Sequence, residues 1–334
     1  MTMNDNFTEF VKKYMNTPIA VAVSGGVDSV CLLVWLAKCG LNVTALHVNH
    51  KLRPSADIES KYVAELCAQL NVPCHIFYWT GDKPATGLEA AARNARYKFM
   101  TDWCHENGVE TLMLAHQADD QIETFLMNLG RGSGLYGLAA MARESYRDGI
   151  RIVRPLLNVY RDELRQYCDN NHIKYFCDEM NEDEQYTRVR IRKNRRLLAE
   201  KLGIEDSRIL LAIENLGRVR DTITTDIDML IESVLCRGGA MFSNTFLFDL
   251  APDIRLKFIG TLIKKIGGDN YQPRLKSLTY ALDKLSSDCK FTLGHCILRR
   301  LGERILIVPE GTRTTFRKRN EKTKIQHTKS KESN

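Results

Sequence analysis

Apolar and polar positions along the first half of the chain alternate between two rhythms. Short apolar runs at Ile19–Val23, Val43–Val48, Cys74–Trp79, Thr111–Ala115 and Ile150–Val153 have the length of strands buried on both faces. Between them, Val27–Lys38, Ala56–Leu70, Leu88–Asn107, Asp119–Leu129 and Arg161–Asn171 repeat their apolar residues at helical spacing. Strands that alternate with helices predict an α/β fold, a Rossmann-like doubly wound parallel sheet with right-handed crossovers. In such a sheet a ligand lies beyond the carboxyl ends of the strands.

The rhythm changes in the second half. Ser207–Leu235 reads as one long helix or two, and Ile254–Ile266 and Arg274–Lys284 read as helices. Phe291–Leu293, Cys296–Arg300 and Ile305–Val308 read as short strands, and Gly238-Gly239 and Gly267-Gly268 mark turns. Three segments follow: an α/β domain over 1–203, a smaller α+β domain over 204–311, and a tail over 312–334 whose Lys, Arg, Thr and Ser content is that of a disordered segment.

Composition narrows the class. At 334 residues, with 44% hydrophobic and 27% charged residues, the chain fits two ordinary globular cores. No apolar run reaches the roughly 20 residues that span a bilayer. The first ten residues carry Asp5 and Glu9 and lack a basic end followed by an apolar core, so we expect a cytoplasmic protein with no membrane partner. Ten cysteines are scattered without one C-x-x-C pair, which disfavours structural zinc or an iron–sulfur cluster and predicts reduced, packed thiols.

Net charge is +7, of which +6 falls in Gly311–Asn334. A second basic run comprises Arg188, Arg190, Arg192, Lys193, Arg195, Arg196 and Lys201. Both suit a polyphosphate partner, and both also suit a solvated tail and a solvated helix face. On one helix, Arg188, Arg192, Arg195 and Arg196 would share a face.

The densest chemical signal is Ser24-Gly25-Gly26-Val27-Asp28-Ser29, between the first strand and the first helix of the α/β pattern. Two glycines let the backbone turn and approach a ligand without a Cβ. The N–H groups that open the helix then favour an anion, with Ser24 and Ser29 as further donors. The loop lacks the Lys of a G-x-x-x-x-G-K-[ST] phosphate loop. A carboxylate at Asp28 would repel phosphate unless a cation such as Mg²⁺ lay between them. The bland alternative is a plain junction with Ser24 as N-cap.

This string resembles the pyrophosphate loop of the ATP pyrophosphatases, which include GMP synthetase, NAD synthetase and several tRNA-modifying enzymes. Four more strings sharpen the likeness: His47-Val48-Asn49-His50-Lys51-Leu52-Arg53; Gly87-Leu88-Glu89-Ala90-Ala91-Ala92-Arg93 with Arg96-Tyr97; Ala115-His116-Gln117-Ala118-Asp119-Asp120-Gln121-Ile122-Glu123-Thr124, followed by Arg131-Gly132; and Arg154-Pro155-Leu156-Leu157 with Arg161. In this order, over about residues 18–200, they resemble the catalytic domain of the tRNA(Ile)-lysidine synthetase family. The chain departs from that pattern where Gln117 replaces a second His, where Lys51 stands in place of a frequent Gly, and where Val189 replaces Asn.

The resemblance implies an adenine nucleotide alpha hydrolase-like fold and an ATP-dependent, carbon–nitrogen bond-forming ligase. The wobble cytidine of an isoleucine tRNA with a CAU anticodon would be adenylated at its C2 oxygen. Free L-lysine would then displace AMP to form lysidine. Ser24, Gly25, Gly26, Val27, Asp28 and Ser29 would hold ATP, and Asp28 and Asp120 Mg²⁺. Asp119, Asp120 and Glu123 would bind lysine. Asp28, Arg93, His116, Asp120 and Glu123 would form the catalytic set, with His116 positioning a phosphate or accepting a proton near neutral pH. Arg131, Arg188, Arg190, Arg192, Arg195 and Arg196 would contact tRNA. On the residues alone, the helix N-terminus could instead compensate Asp119 and Asp120. Another enzyme of this fold, a thiolase or an amidating synthetase, and a non-catalytic nucleotide- or RNA-binding module remain as alternatives. Oligomeric state, a homodimer included, is left open.

Overall fold

The structure is a computed structural model that describes residues 5–52, 55–81, 83–84, 86–176, 187–269, 271–287 and 290–311. The chain divides into two compact units, Met1–Arg220 and Asp221–Asn334.

The first unit contains α1 (Asp5–Tyr14), β1 (Ile19–Ala22), α2 (Val27–Lys38), β2 (Val43–Asn49), α3 (Ser55–Gln69), β3 (Cys74–Tyr78), α4 (Leu88–Glu106), β4 (Thr111–Met113), α5 (Ala118–Gly130), α6 (Leu135–Leu138), β5 (Glu144–Arg147), β6 (Ile150–Val153), α7 (Arg161–Asn170), α8 (Thr187–Asn194) and α9 (Arg196–Leu202). α10 (Asp206–Val234) begins in this unit, and the division falls within it. Six strands form one sheet in the order β3-β2-β1-β4-β6-β5. β1 runs parallel to β2, with Ile19 opposite Val43, and to β4, with Ile19 opposite Thr111. β2–β3 and β4–β6 are also parallel, and β5 alone is antiparallel, with Glu144 opposite Val153.

Strand order reverses at β1, so the switch point of this doubly wound sheet lies between β1 and β4. The loops that leave these two strands carry Ser24–Gly26 and His116–Gln117. Alternate strand residues feed the two faces. Val21, Ala45 and Met113 pack with α2, α3 and α7 through Val30, Leu33, Val63 and Leu164. Ala20, Leu46 and Leu112 pack on the other face with Tyr97, Met100 and Cys104 of α4.

The second unit continues with β7 (Leu235–Cys236), β8 (Gly239–Ser243), α11 (Asn244–Asp249), α12 (Pro252–Gly267), α13 (Leu275–Ser286), β9 (Lys290–Leu293), β10 (Cys296–Leu301) and β11 (Arg304–Pro309). Its five strands form an antiparallel sheet in the order β7-β8-β11-β10-β9. Phe258, Ile259, Leu262 and Ile263 of α12 pack on Leu298, Ile305 and Ile307. The expected parallel sheet and smaller α+β region are both present.

Three features differ from the sequence expectation for local reasons, and a fourth, α10, falls within it. β5 alternates exposed and half-buried polar residues at the sheet edge, so its sequence carries no apolar run. Gly239, read as a turn residue, opens β8 instead. A Cβ there would lie 2.2 Å from the Ile307 carbonyl oxygen, so glycine lets β8 close on β11. α10 is one continuous helix of 29 residues. The basic run is not one helix: α8 ends at Asn194, and Arg195 precedes α9.

No helix among the described residues is long and apolar enough to cross a membrane. Cys31, Cys67, Cys104, Cys168 and Cys296 are free and buried, and Cys236 is exposed. The basic tail expected to be disordered lies outside the described residues.

Phe258 anchors the second core: it is fully buried, with Phe242 at 5.5 Å and Phe246 at 5.6 Å. Phe258→Ala should lower stability by about 3–5 kcal/mol. The loss should appear as faster amide exchange across β8, β10 and β11.

Candidate active site

Beyond β1 the chain turns at Gly25, whose φ is +94°. The Phe176 N–H donates to its carbonyl at 2.9 Å, and the Phe176 ring lies 3.7 Å from where a Cβ would stand. Gly26 is the N-cap of α2 and supplies no side-chain cap. The alternative of Ser24 as N-cap is therefore not what the loop adopts. Ser29 Oγ instead ties the loop together, donating to the Gly26 carbonyl at 2.9 Å and accepting the Ser24 N–H at 3.1 Å. Ser24 Oγ lies 3.1 Å from it, and Val27 is buried beneath the turn. The first N–H groups of α2 are left without a side-chain cap, the geometry that receives an anion.

Asp28 on α2 and Asp120 on α5 share one guanidinium. Arg161 Nη2, from the first turn of α7, stands 3.4 Å from Asp28 Oδ2 and 3.9 Å from Asp120 Oδ1. The Arg161 backbone N–H also donates to Asp119 Oδ2 at 2.9 Å. Arg195 pairs with Asp119 and lies 3.3 Å from Asp206. Arg192 Nε donates to Glu123 Oε1 at 2.8 Å, and Glu123 is fully buried. Four carboxylates from two helices are thus held by three arginines distant in sequence. Two buried oxygens of these carboxylates, Asp28 Oδ1 and Glu123 Oε2, have no hydrogen-bond partner among the described residues.

Burial pushes the Asp28 carboxyl up to about 6; Arg161 opposes the shift, and Asp120 and Asp119 reinforce it. Burial works against the charge of Arg161, yet Asp28, Asp120, Glu123 and Asp119 together raise its pKa. Among the described residues no group of three or more His, Cys, Asp or Glu is placed to hold a metal. A divalent cation beside Asp28 would complete its shell with phosphate or water oxygens, as Mg²⁺ commonly does. The unpartnered carboxylate oxygen of Asp28 is a hard donor that fits such an ion.

Gln117 explains its own departure from the His-His pattern. It is fully buried, caps α5 and accepts the Asp119 N–H at 2.5 Å, while Asp120 Oδ2 accepts the Gln117 N–H at 3.1 Å. Asp120 therefore caps the helix with one oxygen and faces Arg161 with the other. His47 bonds Val23 O at 2.8 Å and Ser60 Oγ at 2.9 Å, and Asn49 bonds Ala56 O and Ser60 Oγ. These two residues of the second string fix the end of β2.

His116 differs from the expectation of titration near neutral pH. Burial, with the charges of Arg154, Arg93, Arg96 and Arg188, pushes it down to about 3, so it stands neutral and is a weak proton acceptor. Arg93 and Arg131 are exposed. Arg192 and Arg195 turn inward to Glu123 and Asp119, whereas Arg188, Arg190 and Arg196 are exposed. The expected continuous arginine face is therefore broken. Sequence spacing gives Arg161 no role of its own; its place after Arg154-Pro155, in the first turn of a helix, is the signal that marks it.

A glycine turn that opens an uncapped helix at the switch point, faced by carboxylates, defines a PP-loop nucleotide-binding enzyme. Residues 1–198 match the PP-loop domain family. A U34-tRNA thiolase from Methanococcus maripaludis, solved with its [4Fe-4S] cluster, shares this fold. Its TM-score is 0.53, with 16% identity over 64% of this chain and 79% of the thiolase. The tRNA(Ile)-lysidine synthase of Ruegeria pomeroyi is 37% identical over 294 residues, covering 86% of this chain and 70% of that relative. That of Rhodopseudomonas palustris is 34% identical over 312 residues, covering 87% and 90%. The chain belongs to the tRNA(Ile)-lysidine synthase family and is an ATP-dependent tRNA-modifying ligase.

The raised pKa of Asp28 has a testable sign. Below its unfolded value of about 4 the group is protonated in both states, so Asp28→Asn should match the parent there. As pH rises through about 6, the parent loses stability that the variant keeps. Above that pH, Asp28→Asn should be the more stable by at most about 3 kcal/mol. Melting temperatures of both proteins from pH 4 to 8 check this; parallel curves would contradict it.

Proposed function

We propose that the chain joins free L-lysine to C2 of the wobble cytidine in the CAU-anticodon isoleucine tRNA, forming lysidine through an adenylated tRNA. The observation that carries this reading is the placement of two unpartnered buried carboxylate oxygens, Asp28 Oδ1 and Glu123 Oε2, on helices that start at the switch point.

ATP lays its pyrophosphate along Ser24, Gly25, Gly26, Val27, Asp28 and Ser29, where the uncapped N–H groups of α2 favour it. Asp28 and Asp120 would hold Mg²⁺, which when bound would offset the negative charge of the pyrophosphate. The cytidine leaves its stack to reach the cleft. Its C2 oxygen attacks the α-phosphate and pyrophosphate departs. Lysine lies with its ammonium near Asp119, Asp120 and Glu123. Loss of a proton to Glu123 Oε2 frees the amine to attack C2 and expel AMP. Arg161 positions Asp28 and Asp120 relative to each other. Neutral His116 and Arg93 contact phosphate. Arg131, Arg188, Arg190 and Arg196 contact the tRNA backbone, while Arg192 and Arg195 steady the acidic string. We assign catalysis to 1–203 and further tRNA contact to 204–311 and the tail 312–334.

The test is pyrophosphate release from ATP with Mg²⁺ and bulk tRNA, with each of the twenty amino acids added in turn. Release with AMP formation, together with stable incorporation of labelled lysine into tRNA, is expected. Release that ignores lysine and depends on ammonia or a sulfur donor would overturn the function and keep the fold. Glu123→Gln should retain pyrophosphate release and slow lysine transfer roughly 100-fold or more. Lysine transfer at the parental rate in that variant would remove Glu123 as the base.

A further inference from the structure

On the α4 face of the sheet, guanidinium groups crowd round one buried ring. The Arg93, Arg96 and Arg147 guanidiniums lie 5.3, 6.0 and 4.0 Å from the centroid of Tyr97. Arg154, also buried, lies near enough to Tyr97 for the ring to favour its charge, and donates to Ala142 O at 2.9 Å and Ser145 Oγ at 3.0 Å. The carboxylate paired with this group is that of Asp148, 3.6 Å from Arg147. Arg93 and Arg96 have no hydrogen-bond or carboxylate partner among the described residues. Arg154 Nε and His116 Nδ1 are buried and unpartnered.

Like charges gathered beside a core repel one another, and a guanidinium cannot escape by deprotonation. Attraction to the Tyr97 ring returns only about 0.5–2 kcal/mol per cation. Burial, with Arg93 and Arg147 nearby, holds the pKa of Arg96 below its usual value. The group therefore carries uncompensated positive charge that an oxyanion would neutralise, with forked donors suited to two phosphate oxygens.

We propose that Arg93, Arg96 and Arg154, grouped around Tyr97 and His116, form a second phosphate site that grips a backbone phosphodiester of the substrate tRNA. This rests on the tRNA reading above. Two observations favour RNA over the phosphates of ATP. Tyr97 belongs to the core on the α4 face, whereas α2, the helix that the glycine turn opens, packs on the opposite face. Arg188, exposed at the start of α8, adds its charge at His116 beside Arg93 and Arg96, which continues the basic surface outward from the site. Contacts of this kind fix the register of a nucleic acid and carry little sequence information.

The test is filter binding of tRNA by the full chain from 50 to 250 mM KCl, comparing the parent with Arg96→Gln, Arg96→Lys and Arg93→Gln. Each Gln variant should bind tRNA about tenfold more weakly, with the slope of log K against log salt reduced by about one. Arg96→Lys should keep the slope and lose only part of the affinity, because it retains charge without the fork. ATP affinity measured without RNA is the second arm. A loss confined to ATP assigns the anion to the nucleotide and overturns the proposal. Parental tRNA affinity and slope in both Gln variants also overturn it. Should Arg96→Gln fail to fold, Arg93→Gln, altered at an exposed side chain, carries the test. A parent chain that binds no tRNA would sink the function proposed above, whereas parental behaviour in the variants sinks only this site.

Discussion

The Arg161 guanidinium, shared between Asp28 and Asp120, is the interaction on which the site depends. Without a cation between them, two carboxylates at the mouths of neighbouring helices would repel each other. Arg161 holds them facing the switch point, and its backbone N–H fixes Asp119 as well. The interaction is incomplete by design of the chain: Asp28 keeps a raised pKa despite its partner, and one of its oxygens remains unpartnered. A single counter-charge is enough to assemble the acids and too little to satisfy them, which leaves capacity for a ligand cation.

The same logic in opposite sign applies across the sheet. Acids gather on the α2 and α5 helix starts with three arginines to hold them, while arginines gather around Tyr97 with one carboxylate between them. The first unit thus holds an acidic, partly neutralised cluster and a basic, nearly uncompensated one. His116, just beyond β4, is kept neutral by its burial, and the arginine charges add to the effect.

The fold was legible because its signals are local. A glycine turn between a strand and a helix, and apolar runs at strand length, can be read within a dozen residues, and Val27–Lys38 and Ile150–Val153 were placed to the residue. The acids Asp119, Asp120 and Glu123 were visible for the same reason. Their partners were not. Arg161 stands 38 residues beyond Glu123 in sequence, and it reaches the site because α7 follows β6 back to the switch point. Arg192 and Arg195 read as a stripe for phosphate because helical spacing alone cannot say which face a neighbouring helix covers. β5 and β8 escaped because an edge strand needs no apolar run and a glycine that permits close strand approach looks like a turn glycine.

The distance in sequence between the acids and their arginines also sets an order during synthesis. Asp119, Asp120 and Glu123 leave the ribosome before Arg161, and well before Arg192 and Arg195. At about 5–20 residues per second, the nascent chain carries this acidic string for roughly 4–15 s before the last counter-charge is made. The sheet strands β1 to β4 already exist by then, so the core can form around an unfinished pocket. The active site of this enzyme is therefore completed only after every strand of its parallel sheet has been made.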